Sequence, residues 1–357
     1  MTIPEIPPDV GLQILAWDVG ALNGEQSANG LMGFEQPFIL SPTFREALSM
    51  RICSLLPSAT EMVYALGLGD QLVGVSHTCD YPNEAADKPV VSRSLRGISH
   101  LDSAEIDGII QQARANNNPL YWIDGELLRE LKPDLIITQE LCEVCAVGSG
   151  SVYETAARVL DYQPVIISVR PAGLEDIFQN ILNIGQAAQV PNRAQELVDN
   201  LRGRVAHVRS RVPDTVTRPR VFCIDWLDPL RNTGQWCPEL VELAGGQEGL
   251  AIKWGKSREI AWEEVLSYQP EFLMSMPCAF DPDRVARESK ERLPSLPGWS
   301  SLPAVQKGQV YLFDGRIPSR HGPRVIDVME GLAEAIHPEL FPGLAPEGIF
   351  TKADFAP

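Results

Sequence analysis

The sequence predicts an α/β protein of two Rossmann-like lobes with parallel-rich sheets, joined by a single long bridging helix. Three observations carry this. From Met50 onward, short buried-strand patterns alternate with amphipathic helix patterns, the grammar of a parallel sheet covered by helices. Between Asn192 and Arg211, apolar residues recur at Ala194, Leu197, Val198, Leu201, Val205 and Val208, the spacing of one long amphipathic helix. The alternation then restarts at Arg220.

Taken in order, Arg51-Ile-Cys-Ser-Leu-Leu56 reads as a strand broken by Pro57-Ser58. Ser58-Ala-Thr-Glu61 matches a capping box and opens a helix that should stop near Gly67 or Gly69. Leu72 to Ser76 is the next strand. Asp102 to Ala115 and Gly125 to Leu131 read as helices, and Leu135–Thr138 and Pro164–Ser168 as strands. Leu174 to Val212 has helical periodicity, with Pro191 as a first-turn proline opening its second half. In the second half, Arg220–Ile224, Phe272–Ser275 and Val310–Phe313 are strands. Glu239–Leu243, Trp262–Leu266 and Val325–Ile336 are helices. One segment echoes another. Leu128-Arg-Glu-Leu-Lys-Pro-Asp-Leu-Ile-Ile-Thr138 resembles Val265-Leu-Ser-Tyr-Gln-Pro-Glu-Phe-Leu-Met-Ser275, each a helix end, a Pro-acid pair and a buried strand leading toward a cysteine. The domain reading is an N-terminal extension over 1–50, a lobe over 51–171, a bridging helix segment over 172–217, a second lobe over 218–340 and a tail over 341–357. The extension holds five Pro, five Gly and six acidic residues against one basic residue, Arg45.

Composition excludes several function classes. With 30 Lys plus Arg against 47 Asp plus Glu, the net charge of −17 would repel a polyanion, so nucleic acid is not an expected partner. No apolar run reaches the roughly 18 residues of a membrane helix. The early apolar run, Leu12 to Trp17, is short and has no basic start, so the expectation is a cytoplasmic protein, with export by an unread route as the alternative. A monomer is expected. The seven cysteines form no dense disulfide pattern. There is no G-x-S-x-G elbow, no P-loop and no G-x-G-x-x-G after the first strand, so enzyme templates fit poorly.

In open α/β sheets ligands bind beyond the carboxyl ends of the strands. The residues there are Ser58 after the first strand, then His77, Thr78, Cys79, Asp80 and Tyr81 after the second. Gln139, Cys142 and Cys145 follow Thr138. In the second half they are Trp226, Trp236, Cys278, Asp314, Arg316, Arg320 and His321. These stretches are rich in aromatic and sulfur side chains, which suits a large, mostly apolar ligand. His77-x-Cys79 and Cys142-x-x-Cys145 have the spacing of metal ligands, and zinc is one candidate. The same cysteines can equally pack as small hydrophobes or form a redox dithiol. Tryptophans more often fill cores than hold ligands, with Trp226, just past a strand end, the favoured exception. Arg316 and Arg320 could clamp a phosphate, but two arginines in a loop are usually solvated.

Several segments resemble the substrate-binding proteins of ABC importers for vitamin B12, siderophores and haem, most nearly the cobalamin-binding branch. They are Arg51-Ile-Cys-Ser-Leu-Leu-Pro-Ser-Ala-Thr-Glu61, Leu72-Val-Gly-Val-Ser76, Asp80-Tyr-Pro82, Leu131-Lys-Pro-Asp-Leu-Ile-Ile137, Trp236-Cys-Pro-Glu-Leu-Val-Glu-Leu-Ala-Gly-Gly246 and Pro303 to Val310. The resemblance covers roughly residues 51–340 and implies the class III substrate-binding fold, with the ligand in the cleft between the lobes. It implies non-catalytic binding of cobalamin or a related corrinoid, an ABC permease as partner, and acidic groups at the lobe tips that meet permease arginines. The aromatic ring positions of such proteins fall here on Thr78, Gln139 and Trp226, a departure at the first two. The expected ligand-binding set is Ser58, His77, Thr78, Cys79, Tyr81, Gln139, Cys142, Trp226, Trp236 and Cys278. The expected metal set is His77, Cys79, Cys142 and Cys145. The alternatives are haem, an iron chelate or a metal ion on the same scaffold, and a cysteine-dependent redox enzyme using Cys142 or Cys145.

Overall fold

The first lobe of the computed structural model is built on β1 (Ile52–Ser54), β2 (Leu72–Val75), β5 (Leu135–Gln139) and β6 (Val165–Val169). They form a parallel sheet in the order β2-β1-β5-β6. The described residues are 50–94, 101–116, 120–139, 149–212 and 218–355, so the expected extension, Met50 apart, lies outside them. β3 (Ser92–Ser94) and β4 (Tyr121–Ile123) form a separate antiparallel ribbon. The helices are α1 (Pro57–Ala65), α2 (Ser103–Ala115), α3 (Gly125–Leu131) and α4 (Ser149–Val159). Asp102 and Glu105 cap α2 reciprocally, a capping box.

The capping box expected at Ser58 does not form. Pro57 takes the first helical position, where its missing N–H costs nothing, and Leu56 is the N-cap without a side-chain bond. Ser58 and Glu61 are thereby turned to other uses. The helix ends at Leu66, and Gly67 follows in the left-handed region.

The segment expected to bridge the lobes is two helices, α5 (Leu174–Ala187) and α6 (Pro191–Arg211). α5 buries Ile177, Phe178, Ile181 and Ile184 and belongs to the first lobe, packing on β6 and α1. At its start α5 also touches the second lobe, where the Leu174 backbone N–H donates to Glu239 at 2.9 Å, and α6 runs from one lobe to the other. Arg193 near its start donates to the Leu66 carbonyl at 3.3 Å. Arg204 grips Glu330 (2.5 and 2.9 Å) and Asp327 (2.7 Å) in the second lobe.

The second lobe repeats the frame. Its strands are β7 (Arg220–Leu227), β8 (Leu230–Asn232), β9 (Gln247–Glu248), β10 (Phe272–Ser275), β11 (Val310–Phe313) and β12 (Phe350–Lys352). The sheet order is β12-β11-β10-β7-β8, with β9 beside β7. β7, β9, β10 and β11 are parallel, and β8 and β12 run antiparallel at the edges. The helices are α7 (Cys237–Leu243), α8 (Trp262–Tyr268), α9 (Pro282–Arg292), α10 (Pro303–Gln306) and α11 (Val325–Ile336). The stretch expected as a tail thus contributes β12, and Phe341 and Ile349 are buried. One apolar cluster runs from Ile52 and Leu135 through Ile181 and Val198 to Val221, Met274 and Met329, so the lobes share a core across α5, α6 and α11. Among the described residues no helix is long and apolar enough to cross a membrane.

Candidate functional site

The carboxyl ends of β1 and β2 in one sheet meet that of β11 in the other, and the side chains beyond them form a polar seam between the lobes. On the first lobe, Ser58 and Glu61 project from the start of α1 and are buried. On the second lobe, the turn after β11 carries Asp314, Arg316, Arg320, His321 and, at the N-cap of α11, Arg324.

Arg320 is the centre of this seam. Its guanidinium lies 2.5 Å from Asp80 and 3.4 Å from Glu61, with only 10% of its side chain exposed. Arg324 approaches the same Glu61 oxygen at 3.5 Å and covers the Tyr81 ring at 3.8 Å. Asp314 holds Arg316 through two bonds of 2.9 and 2.7 Å. Burial pushes the Glu61 carboxyl up to about 7, with Arg324 and Arg320 pulling the other way. His321 accepts an edge-on contact from Trp236 at 5.6 Å and lies 3.4 Å from Ser58 Oγ. Burial lowers its pKa to about 4, which keeps the ring neutral. Its Nδ1 has no partner among the described residues. Trp236 is itself buried, and its indole N–H donates to the Pro318 carbonyl at 3.0 Å, which pins the arginine-bearing turn.

The loop after β2 is held from within. Ser76 Oγ and Thr78 Oγ1 are 2.9 Å apart. Cys79 is a core residue here: its sulfur accepts from Thr60 at 3.1 Å and lies 3.4 Å from Ser76 Oγ. Burial raises its thiol pKa, against those hydrogen bonds. His77 Nδ1 lies 3.0 Å from Ser92 Oγ, and its ring stacks on Tyr121 at 5.3 Å. Burial lowers its pKa. Tyr81 is exposed and Gln139 is buried at the end of β5. Cys142 and Cys145 lie outside the described residues, and among those described no group of three His, Cys, Asp or Glu can hold a metal ion.

On the second lobe, Trp226 is half-buried at the end of β7. Its indole N–H is shared between Asp228 O (2.9 Å) and Ser103 O (3.1 Å), and Phe280 packs edge-on at 5.1 Å. Cys278 is half-buried, with its backbone N–H on Asp225 O at 2.8 Å. The structure therefore brings Ser58, Thr78 and Tyr81 near the turn pinned by Trp236, joins the Cys278 segment to the same turn through the Ala279 N–H on Gly315 O at 3.2 Å, and sets Trp226 at the end of β7. Glu61, Arg320 and Arg324 were not in the expected set. The four-residue spacing of Arg316, Arg320 and Arg324 directly after a strand was the available signal.

The sequence pattern of the periplasmic binding protein family matches residues 52–317. An uncharacterised ABC transporter substrate-binding lipoprotein of Bacillus subtilis is 25% identical over 299 residues, spanning 82% of this chain and 81% of its own. A vitamin B12-binding protein of Vibrio parahaemolyticus is 26% identical over 263 residues, spanning 71% and 83%. The crystal structure of a periplasmic haem-binding protein from Pseudomonas aeruginosa superposes with a TM-score of 0.64 at 20% identity, covering 86% of this chain and 99% of that one. These matches correct the cytoplasmic expectation. The family is one of periplasmic proteins and the Bacillus relative is a lipoprotein, whereas an unread leader pattern is no positive sign of a compartment.

Proposed function

Because the chain belongs to the periplasmic binding protein family, whose members are non-catalytic solute-binding proteins working with ABC permeases, we propose that it binds cobalamin or a related corrinoid between its lobes and delivers it to such a permease. The observation that carries the ligand is the match to a vitamin B12-binding protein across both lobes. The facing carboxyl edges supply the site. The polar seam forms its base, and Trp226, Cys278, Thr78 and Tyr81 lie along its walls.

A second reading, haem or an iron chelate, is favoured by the arginines at the base. Guanidinium groups pair with carboxylates, and Arg316, Arg320 and Arg324 line one side. A corrinoid carries mostly amide side chains and would leave them to Asp80, Glu61 and Asp314.

The twin helices α3 and α8 supply the acidic tips. Each runs back from the carboxyl edge of its sheet, and each presents an exposed first-turn glutamate, Glu126 and Glu263. They are placed to meet permease arginines on either side of the cleft.

Titration of the full chain with cyanocobalamin, read by tryptophan fluorescence and the visible spectrum, tests the main reading, with haemin in parallel. Saturable micromolar binding of cyanocobalamin supports it. Binding of haemin alone moves the assignment to the second reading, and binding of neither overturns both.

A further inference from the structure

The β3–β4 ribbon stands at the carboxyl edge of the first sheet. Ser92 on β3 bonds His77, and Tyr121 on β4 stacks on the same ring. Between the two strands the chain makes an excursion whose described part is residues 101–116. Its leading turn is seated on the second lobe.

The seat is built from β7 and α9. Arg284 donates to the Leu101 carbonyl at 2.7 Å. Arg292 donates to Asp102 at 2.9 Å and also pairs with Asp228. The Ser103 backbone N–H donates to Glu288 at 3.2 Å, and Ser103 O accepts from Trp226. Farther along, Asp107 lies 3.7 Å from Arg231. The seat is prepared in advance: Glu288 is 3% exposed, is held by Arg284 at 2.7 Å, and Arg284 lies over the Phe280 ring at 3.5 Å. A lone exposed ion pair fixes little. Here two backbone carbonyls, one backbone N–H and two carboxylates all find partners across the lobe boundary, and Ser103 is completely buried.

We propose that α2 with its leading turn is a clasp across the cleft. The β3–β4 ribbon that flanks it in sequence stands at the His77 edge of the first sheet, and Leu101–Asp107 lock onto the Trp226 edge of the second. Ligand exchange then requires release of Leu101–Asp107 from the seat, a local movement that leaves the shared core around α6 intact. Trp226 is an anchor of the clasp through its N–H while its ring stays on the cleft wall. This rests on the reading that ligand lies between the lobes.

The test uses the full chain without ligand. In the Arg292→Glu variant, amide exchange over Ser103–Ala115 should quicken about ten-fold while β1 and β10 keep wild-type protection. Alkylation of Cys278 by a bulky maleimide, followed by peptide mass, should quicken by a similar factor as the cleft edge opens. Trp226→Phe, which keeps an aromatic ring and removes the N–H, should show a smaller rise in both. Unchanged exchange over α2 would show that the seat does not hold the helix. Faster exchange with unchanged Cys278 alkylation would show that the helix is fastened but closes nothing. Either result overturns the clasp. Failure of wild-type protein to bind cyanocobalamin or haemin overturns the ligand reading instead, and the Cys278 result still decides the clasp.

Discussion

The two lobes are one frame used twice, and they differ where the frame ends. The first orders its parallel strands β2-β1-β5-β6, and the second places β9, β7, β10 and β11 in the same relation. In each, a short helix stops at a left-handed residue, Lys132 or Gln269, before a Pro-acid pair and a buried strand. The sequence echo between Leu128–Thr138 and Val265–Ser275 falls on equivalent positions, α3 to β5 and α8 to β10. The carboxyl edges do not repeat. The first lobe offers acids there, Glu61 and Asp80, and the second offers Arg316, Arg320 and Arg324. The first sends α2 outward, and the second closes its sheet with β8 and β12. The repeated parts build the common frame, and the opposed charges of the seam come from the parts that are not repeated.

The comparison breaks first at the seam. Arg320→Ala leaves the buried Glu61 with one guanidinium fewer and frees the exposed Asp80, so urea unfolding should show a loss of about 3 kcal/mol. Arg93→Ala removes a surface pair with Asp124 and should cost under about 1 kcal/mol. Next come the equivalent core positions. Leu128 and Val265 are both fully buried. Leu128→Ala should cost about 3 kcal/mol and Val265→Ala about 2 kcal/mol. A tenfold disparity in either direction would deny that the lobes share one frame.

The seam also titrates in two directions. Glu61 sits near 7 folded against 4.5 unfolded, so its contribution is complete below pH 4.5 and is lost as pH rises through 7. His321 sits near 4 against 6.5, so its contribution is complete above pH 6.5 and is lost as pH falls through 4. Relative to wild type, Glu61→Gln should therefore gain about 3 kcal/mol of stability between pH 4.5 and 7. His321→Gln should lose a similar amount relative to wild type between pH 4 and 6.5, again about 3 kcal/mol. Thermal melts across that range would show the two difference curves sloping oppositely, and parallel slopes would refute the assignment of either group.

The repeated frame was legible in the sequence because burial and periodicity write it. Phe272–Ser275, Val310–Phe313 and Val325–Ile336 fall where the pattern placed them. α9 was not legible, because its surface is almost all charge and only Val285, Glu288 and Ser289 are buried. β12 was hidden in a Pro- and Gly-rich stretch whose three residues gain strand character only by pairing with β11. Of the site, the strand-end rule located the turn at 314–321, yet the arginines read as solvated, since no local signal says which acids face them from 240 or more residues away. Cys79 had metal-like spacing, but spacing carries no information about Thr60 and Ser76, which occupy its sulfur.

The mildest test returns to the echo. Glu126 and Glu263 are exposed at matching positions of α3 and α8, and neither lies in a buried network, so Glu126→Ala and Glu263→Ala should each move stability by no more than about 0.5 kcal/mol. Their cost should appear only with the permease present, as reduced stimulation of its ATPase by the loaded protein. Two equivalent contacts on a two-lobed protein act as a linked pair, so each single variant should weaken docking and the double variant should lose far more than either. If only one of the two matters, the lobes are symmetric in fold but not in docking, and the partner reads the non-repeated edges as the ligand does.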